Sequence, residues 1–430
     1  MSVRVVRMEV AAGDEARAAA EVRSLSPPPP DVEDDVRAIV GAVRERGDEA
    51  VRELTARFDG VEVPGERLRV APAEIEAAVF DLEPSLADAL SAAIANVEEV
   101  ARASVRGDTE VSLAAGQRIE IAEVPVARAG AYVPGGRAPY PSTVVMCAVT
   151  ARVAGVGELA VCAPPGPGGE AHPTILAACG LCGVDEVYRM GGAQAIAALA
   201  YGTESISAVD VIVGPGSPWV QEAKRQVVGR VGIDGVAGPS ELVVVASAGA
   251  RPELAALDLL AQAEHGPGTV LALVSDDAAV LDEVERSIAI REGAADGGDQ
   301  PALALVHAPD PPTAVRLADA IAPEHVQLMG SATEGLAAEV RCAGALFAGE
   351  EAGTAFGDYV AGSNHVLPTG GAARHASALS VATFRRRMAR VTMPEGAAAT
   401  LAGAGAALAD AEGFVVHAES MRRRAERPRG

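Results

Sequence analysis

Glu186-Val187-Tyr188-Arg189-Met190-Gly191-Gly192-Ala193-Gln194-Ala195 reads as a short strand that breaks at two glycines and opens a helix over 193–200. The same phrase recurs on either side. Apolar strands at 159–163 and 209–213 alternate with helical spacing at 143–156, 173–182 and 219–228. That rhythm is βαβ, which builds a mostly parallel, doubly wound sheet. A second series follows at 242–246, 269–274, 302–307, 326–329 and 343–347, again with helices between, so two α/β units are expected.

Toward the N-terminus the texture is helical. Pro27 to Pro30 form a stiff, polyproline-prone run. Residues 31–58 read as an amphipathic helix with acidic residues in the first turn, where the helix dipole favours them. Residues 60–70 read as a loop or short strand, 73–103 as two helices interrupted near Pro84, and 119–126 as an alternating, β-branched strand. Beyond Ala376 the chain reads as helical to its end. Arginines at 385–387 and 422–424 are expected on helix faces or subunit contacts.

At 430 residues the chain has length for more than one core. A formal charge of −23 excludes a phosphate-neutralising nucleic-acid binder and implies a solvated acidic surface. No apolar run approaches the ~20 residues of a membrane span. Residues 1–10 lack the apolar core and cleavage site of a secretory signal. Five scattered cysteines do not make a disulfide framework, so a reducing cytoplasm is expected. Cys179 and Cys182 have redox-type spacing but close an apolar helix, without the sequence context of a redox motif.

Several places gather side chains that handle metals or protons. Gln262 and His265 lie three apart at the end of a helix, on one face, with Gly266 and Pro267 ending it. An amide oxygen and an imidazole there could begin a metal site, or be capping and solvated groups. Glu324 and His325 follow Pro323 just before a strand. Adjacent residues on a regular strand face opposite ways, so a shared pocket requires a bend at the strand entrance. Given that bend, two groups of different natural pKa suit sequential acid–base steps; otherwise they are exposed polar groups at a helix end. Asp358 and His365 lie in a glycine-rich stretch, and Asp358 with Gln262 and His265 would give an N/O donor set suited to zinc or manganese. His365 could equally bond backbone in a tight loop. Glu412 and His417 are five apart, about 140° around a helix, and share no face unless Gly413 disturbs it. His172, His307 and His375 have no comparable neighbours.

No Gly-x-Gly-x-x-Gly occurs at a strand-to-helix turn, and Gly403-Ala404-Gly405 has no strand before it. Gly191-Gly192-Ala193-Gln194 and Gly214-Pro215-Gly216-Ser217 do follow strands and open helices. Each offers backbone N–H groups to an anion such as a pyrophosphate, or is merely a tight connection.

These residues fall into six ordered motifs: Tyr-Val-Pro-Gly-Gly at 132–136, Gly-Gly-Ala-Gln-Ala at 191–195, Gly-Pro-Ser-Glu at 238–241, Gln-Ala-Glu-His-Gly-Pro at 262–267, Ala-Pro-Glu-His at 322–325, and Gly-Asp-Tyr with Asn-His-Val-Leu-Pro-Thr at 357–369. Together they closely resemble the histidinol dehydrogenase family, from about residue 30 to about 425. The resemblance implies a zinc-dependent, NAD-linked, four-electron oxidation of L-histidinol through histidinal to L-histidine, which ends histidine biosynthesis. It implies a homodimer with intertwined subunits and an aldehyde-dehydrogenase-like fold of two incomplete Rossmann-like units plus small helical terminal domains. On it, residues 1–30 form an N-terminal arm, 31–130 with 241–380 a first, discontinuous α/β domain, 131–240 a second, NAD-binding domain, and 381–430 a C-terminal helical domain.

By the same resemblance Gln262, His265 and Asp358 are zinc ligands, and His417 of the partner subunit is the fourth. Glu324 and His325 are the acid–base pair. Ser240, His365 and Glu412 contact substrate, as do the zinc ligands and His325. Tyr132, Gln194 and Ser217 stand where NAD contacts fall. Relatives usually carry Gly-Pro-Gly-Asn where this chain has Ser217 followed by Pro218-Trp219. Serine keeps a hydroxyl but lacks the amide's second arm, so NAD affinity is where this chain should differ. Two rivals are a sister dehydrogenase of another small alcohol, such as a sulfonated diol, and a catalytically silent metal-binding regulator. Retained Ser240, Glu412 and His417 oppose the first; retained Glu324 and His325 oppose the second.

Overall fold

A computed structural model describes residues 3–135, 138–266, 268–291 and 300–426. Gly136 and Pro267, quoted in the motifs above, lie outside the described residues. The chain divides into two compact units: residues 1–104 with 126–384, and residues 105–125 with 385–430.

The larger unit holds two parallel sheets. Glu241–Ala246 and Val270–Ser275 are buried at every position, as strands covered on both faces by helices must be, hence their unbroken apolar sequences. The six-stranded sheet runs Arg4–Glu9, Ala302–His307, Val270–Ser275, Glu241–Ala246, His325–Met329, Ala345–Ala348, with all neighbours parallel. The five-stranded sheet runs Glu186–Arg189, Glu158–Ala163, Arg128–Tyr132, Val211–Val213, Gly232–Ile233, also parallel. In each, strand order reverses once: between Glu241–Ala246 and His325–Met329, and between Arg128–Tyr132 and Val211–Val213. The doubly wound α/β architecture expected from the sequence is present. Proline opens helix after helix (Pro141, Pro173, Pro218, Pro252, Pro311), where its fixed φ fits and its missing N–H costs nothing.

The expected domain grouping differs from the packing. Residues 31–104 cover the five-stranded sheet, not the six-stranded one. Glu33–Arg46 packs on Gly192–Tyr201, Pro72–Phe80 on Pro173–Leu181, and Pro84–Ala103 on Pro141–Ala154. Val36, Val40 and Val43 share a core with Ile196 and Leu199. Gly47, at φ 53°, splits the single helix expected over 31–58 into two. Residues 1–30 are likewise no detached arm. Arg4–Glu9 is an edge strand, and Glu15–Ser24 buries Ala18, Ala19 and Val22 against the core of the six-stranded sheet. Edge strands carry charge, which discourages pairing with a further chain. For that reason Arg4-Val5-Val6-Arg7-Met8-Glu9 did not read as a strand.

The smaller unit also corrects an expectation. Residues 385–392 are a strand rather than a helix, pairing antiparallel with Arg118–Pro125, which pairs in turn with Thr109–Ser112. Arg387 and Arg390 sit opposite Glu123 and Glu120 and bond them at 2.7 Å each, so these arginines balance a neighbouring strand. Glu395–Ala411 and Val415–Ala425 follow and pack on each other. Gly413, at φ 80°, breaks the helix between Glu412 and His417. Among the described residues no helix is long and apolar enough to cross a membrane.

Candidate active site

The five-stranded sheet brings its functional loops to the carboxyl ends of its strands, at the reversal of strand order, as open α/β sheets do. Tyr132 ends one strand and Gly214 follows its neighbour. They are in close contact: a Cβ on Gly214, at φ 111°, would lie 2.1 Å from the Tyr132 carbonyl oxygen. Only glycine fits there. Buried Lys224 donates to the Gly214 carbonyl at 2.9 Å and pairs with Asp234, which accepts from the Gly214 amide at 2.7 Å. On the other flank, the Gly192 amide donates to the Tyr132 hydroxyl at 3.2 Å. Burial pushes that phenol up to about 12, so it stays protonated. Gln194 is 1 % exposed and its Nε2 has no partner among the described residues. A buried amide donor left unpaired is costly.

The six-stranded sheet contributes from the opposite ends of its strands. Ser240 immediately precedes Glu241–Ala246, and His325 begins its own strand. The bend that Glu324 and His325 require exists. Ala322 adopts φ 52°, the one non-glycine residue with positive φ among the described residues. Glu324 Oε2 accepts from the Ser240 hydroxyl and, at 3.0 Å, from the Glu241 amide. Ser240 accepts in turn from the Gln262 amide nitrogen. His325 Nδ1 lies 3.1 Å from the Glu241 carbonyl, which can only accept, so Nδ1 carries the hydrogen. Its other nitrogen faces Asp358 Oδ1 at 3.7 Å.

Burial raises the Glu324 carboxyl above its ordinary range, against the charge of His325 and the two hydrogen bonds. Burial works to lower the His325 imidazole, yet Glu324 and Asp358 outweigh it and hold it at about 9. The two groups are thus coupled, the charge of each favouring the charged form of the other. His365 is different. Its Nδ1 donates to the Asp358 carbonyl at 2.8 Å, Thr143 bonds Nε2 at 3.0 Å, and burial keeps the ring neutral.

A cavity of about 710 Å³ joins the two sheets. Ser217, Ser240, His265, Glu324, His325, Asp358 and His365 line it, together with Lys224 and Asp234. Of the residues expected at the site, Gln262 is buried behind Ser240, and Tyr132 and Gln194 stand behind the wall in the core of the five-stranded sheet. Glu412 and His417 belong to the smaller unit and are exposed. Sequence reading missed Glu241, although Gly-Pro-Ser-Glu was singled out, and missed Thr143, Lys224 and Asp234. A buried lysine on a helix carries no signal of its own.

The donor set suits a hard or borderline cation. His265 and Asp358 face the cavity, and Gln262, one helical turn before His265, keeps its amide oxygen free of the bond its nitrogen makes to Ser240. Among the described residues no three His, Cys, Asp or Glu side chains converge on one point. Cys179 and Cys182 are buried, and burial pushes their thiols up, to about 12 for Cys182. They pack the core and are not reactive.

Two doubly wound sheets meeting at a cavity that holds a buried carboxyl–imidazole pair define an α/β enzyme built for proton transfer. A model of the histidinol dehydrogenase family matches residues 26–425. The chain belongs to that family, and is an oxidoreductase. Histidinol dehydrogenase of Gluconobacter oxydans is 45% identical over 404 residues, covering 92% of this chain and 93% of the relative. That of Nocardia farcinica is 45% identical over 402 residues, covering 90% and 89%. A crystal structure of histidinol dehydrogenase from Elizabethkingia anophelis superposes with a TM-score of 0.90 at 28% identity, covering 98% of each chain.

Proposed function

We propose that this chain oxidises L-histidinol through L-histidinal to L-histidine, consuming two NAD, in the last step of histidine biosynthesis. The observation that carries the reading is the hydrogen-bonded line from Gln262 through Ser240 to Glu324, with His325 beside it, along one cavity wall. His325, in its neutral form with the Nδ1 hydrogen committed to the Glu241 carbonyl, takes the alcohol proton at Nε2 in the first oxidation, so this step is favoured as pH rises toward about 9. Glu324 takes a proton from the water that attacks the aldehyde, and Ser240 holds its carboxylate in place. His325 serves again as base when the hydrate is oxidised. The Ser217 turn, which lines the cavity, with Tyr132 and Gln194 behind it, would hold NAD, which would supply the hydride acceptor for each oxidation. Zinc, held by Gln262, His265, Asp358 and His417 of the partner subunit, would bind the substrate's imidazole and amino nitrogens and polarise its hydroxyl. Glu412 suits the amino group, and His365, fixed by Asp358 and Thr143, closes the substrate wall. The enzyme is accordingly a homodimer with shared sites. All five cysteines are free, which suits a reducing cytoplasm.

The test is NADH formation with histidinol set against other small alcohols, before and after chelation, with metal analysis and sedimentation on the same sample. Two NADH per histidinol, loss on chelation, one zinc per chain and a dimeric mass are expected. Turnover of a sulfonated diol in preference to histidinol, or full activity without metal, would overturn the assignment.

A further inference from the structure

Arg23 and Glu241 form a buried ion pair directly behind the acid–base peptide, and neither lines the cavity. Glu241's side chain is 2 % exposed and Arg23's 24 %. Ionising two groups in that setting is costly unless their remaining hydrogen-bonding sites are used well. Here they are used on one short piece of backbone. The Arg23 guanidinium donates to both Glu241 oxygens, at 2.8 and 3.2 Å, to the Ile321 carbonyl from Nε at 3.0 Å, and to the Ala322 carbonyl at 3.4 Å. Glu241 Oε2 accepts from the Glu324 amide at 3.2 Å, and Oε1 from the Gly370 amide at 3.0 Å. Glu241's own amide and carbonyl bind Glu324 Oε2 and His325 Nδ1. The pair thus grips residues 321–325 from both ends.

Ala322 lies inside that grip in the left-handed region, at φ 52° and ψ 59°. For alanine that conformation costs on the order of 1 kcal/mol and persists only where its surroundings hold it. Without the turn, Glu324 and His325 would follow the strand's alternation and face opposite sides. Arg23 comes from the helix Glu15–Ser24, at the far end of the chain from the peptide it holds.

We infer that Arg23 and Glu241 are positioning residues, whose ion pair clamps the Ala322 turn so that Glu324 and His325 address one cavity, and that the N-terminal helix is thereby part of the catalytic apparatus. The inference rests on the roles given above to Glu324 and His325. Arginine is required by geometry. One planar guanidinium reaches a carboxylate and two carbonyls at once, and a lysine ammonium cannot reproduce that fork.

The experiment compares full-length Arg23→Met, Arg23→Lys and Glu241→Gln with wild type by steady-state kinetics with histidinol and NAD, thermal unfolding, and crystal structures. Arg23→Met is expected to lose about 10- to 100-fold in kcat, the scale of a misplacement near 1 Å, with histidinol KM little changed. Arg23→Lys should recover part of that loss. In the Arg23→Met crystal, residues 321–325 should have moved, or Glu324 and His325 should have left their common orientation. A folded Arg23→Met with wild-type kcat, or with residues 321–325 unmoved and Glu324 and His325 still facing one cavity, would overturn the inference. Should Arg23→Met fail to fold, Glu241→Gln, which keeps the shape and one acceptor, is judged by the same displacement. If wild type produces no NADH from histidinol, the activity assignment fails, while the crystal comparison still decides whether the pair positions the turn.

Discussion

The two parallel sheets reach the same cavity from opposite strand ends. The five-stranded sheet offers Gly214–Ser217 after its strand, at a helix N-terminus, in the manner of open α/β sheets. The six-stranded sheet offers Ser240, Glu324 and His325 before or at the start of its strands. At carboxyl ends, glycine turns expose backbone amides, which suit an anion. At amino ends, a bend can leave adjacent side chains pointing together, which suits proton transfer. One wall of the cavity is therefore built from turns whose backbone the Lys224–Asp234 pair holds, and the other presents the side chains of Ser240, Glu324 and His325 directly.

The sharpest break of that contrast is chemical. Glu324→Gln removes the group assigned to activating water while keeping the shape and the bonds from Ser240 and Glu241. Oxidation of histidinal is expected to fall by about 10²–10⁴-fold, the range of a lost general base, and oxidation of histidinol by far less. Rates of NADH formation from each substrate decide this. Equal losses would mean that Glu324 does not divide the labour with His325.

On the other wall the break is structural. Lys224→Met leaves Asp234 buried without its cation, which costs about 3–5 kcal/mol. It also frees Gly214, whose close approach to Tyr132 joins the two central strands. Denaturant midpoints should fall accordingly, and NAD affinity with them. A variant that binds NAD normally would show that the clamp serves stability alone.

A smaller effect concerns Asp59, whose carboxyl burial pushes up to about 6 and whose Oδ2 has no partner among the described residues. Its folded value lies above its unfolded one, so the folded state takes the proton more readily. The group therefore destabilises at pH above 6 and ceases to do so as pH falls through 6 toward 4. The shift bounds the effect at roughly 3 kcal/mol, at ~1.4 kcal/mol per unit. Asp59→Asn should raise stability at pH 7.5 and flatten its change between pH 6 and 4, measured by urea unfolding.

How much of this was legible in the sequence follows the same division. Buried parallel strands and proline-started helices write themselves as apolar runs with punctuation, so both sheets and their order of appearance could be read. The edge strand Arg4–Glu9 could not, because charge belongs on an edge, and Arg385–Thr392 could not, because its arginines answer glutamates on another strand. Which sheet the helices of residues 31–104 cover is decided by contacts such as Val36 with Ile196, and spacing is blind to those. At the site, motif residues with unusual chemistry stood out: Glu324, His325, Asp358, His265. Glu241, Arg23, Lys224 and Asp234 did not, since each acts by binding backbone that only the fold brings near.

Ser217 allows the contrast to be sharpened rather than broken. It is exposed, lines the cavity, and begins the helix Pro218–Val227 without bonding any of its first amides. An asparagine there adds an acceptor and a donor on one planar group where serine offers a single hydroxyl. Ser217→Asn should lower the NAD dissociation constant a few-fold, about 1 kcal/mol for one further hydrogen bond, with histidinol binding unchanged. Calorimetric titration of NAD separates the outcomes. A tighter NAD with constant histidinol affinity places Ser217 on the cofactor wall, whereas a change in histidinol affinity alone would move this turn to the substrate side and erase the distinction between the walls.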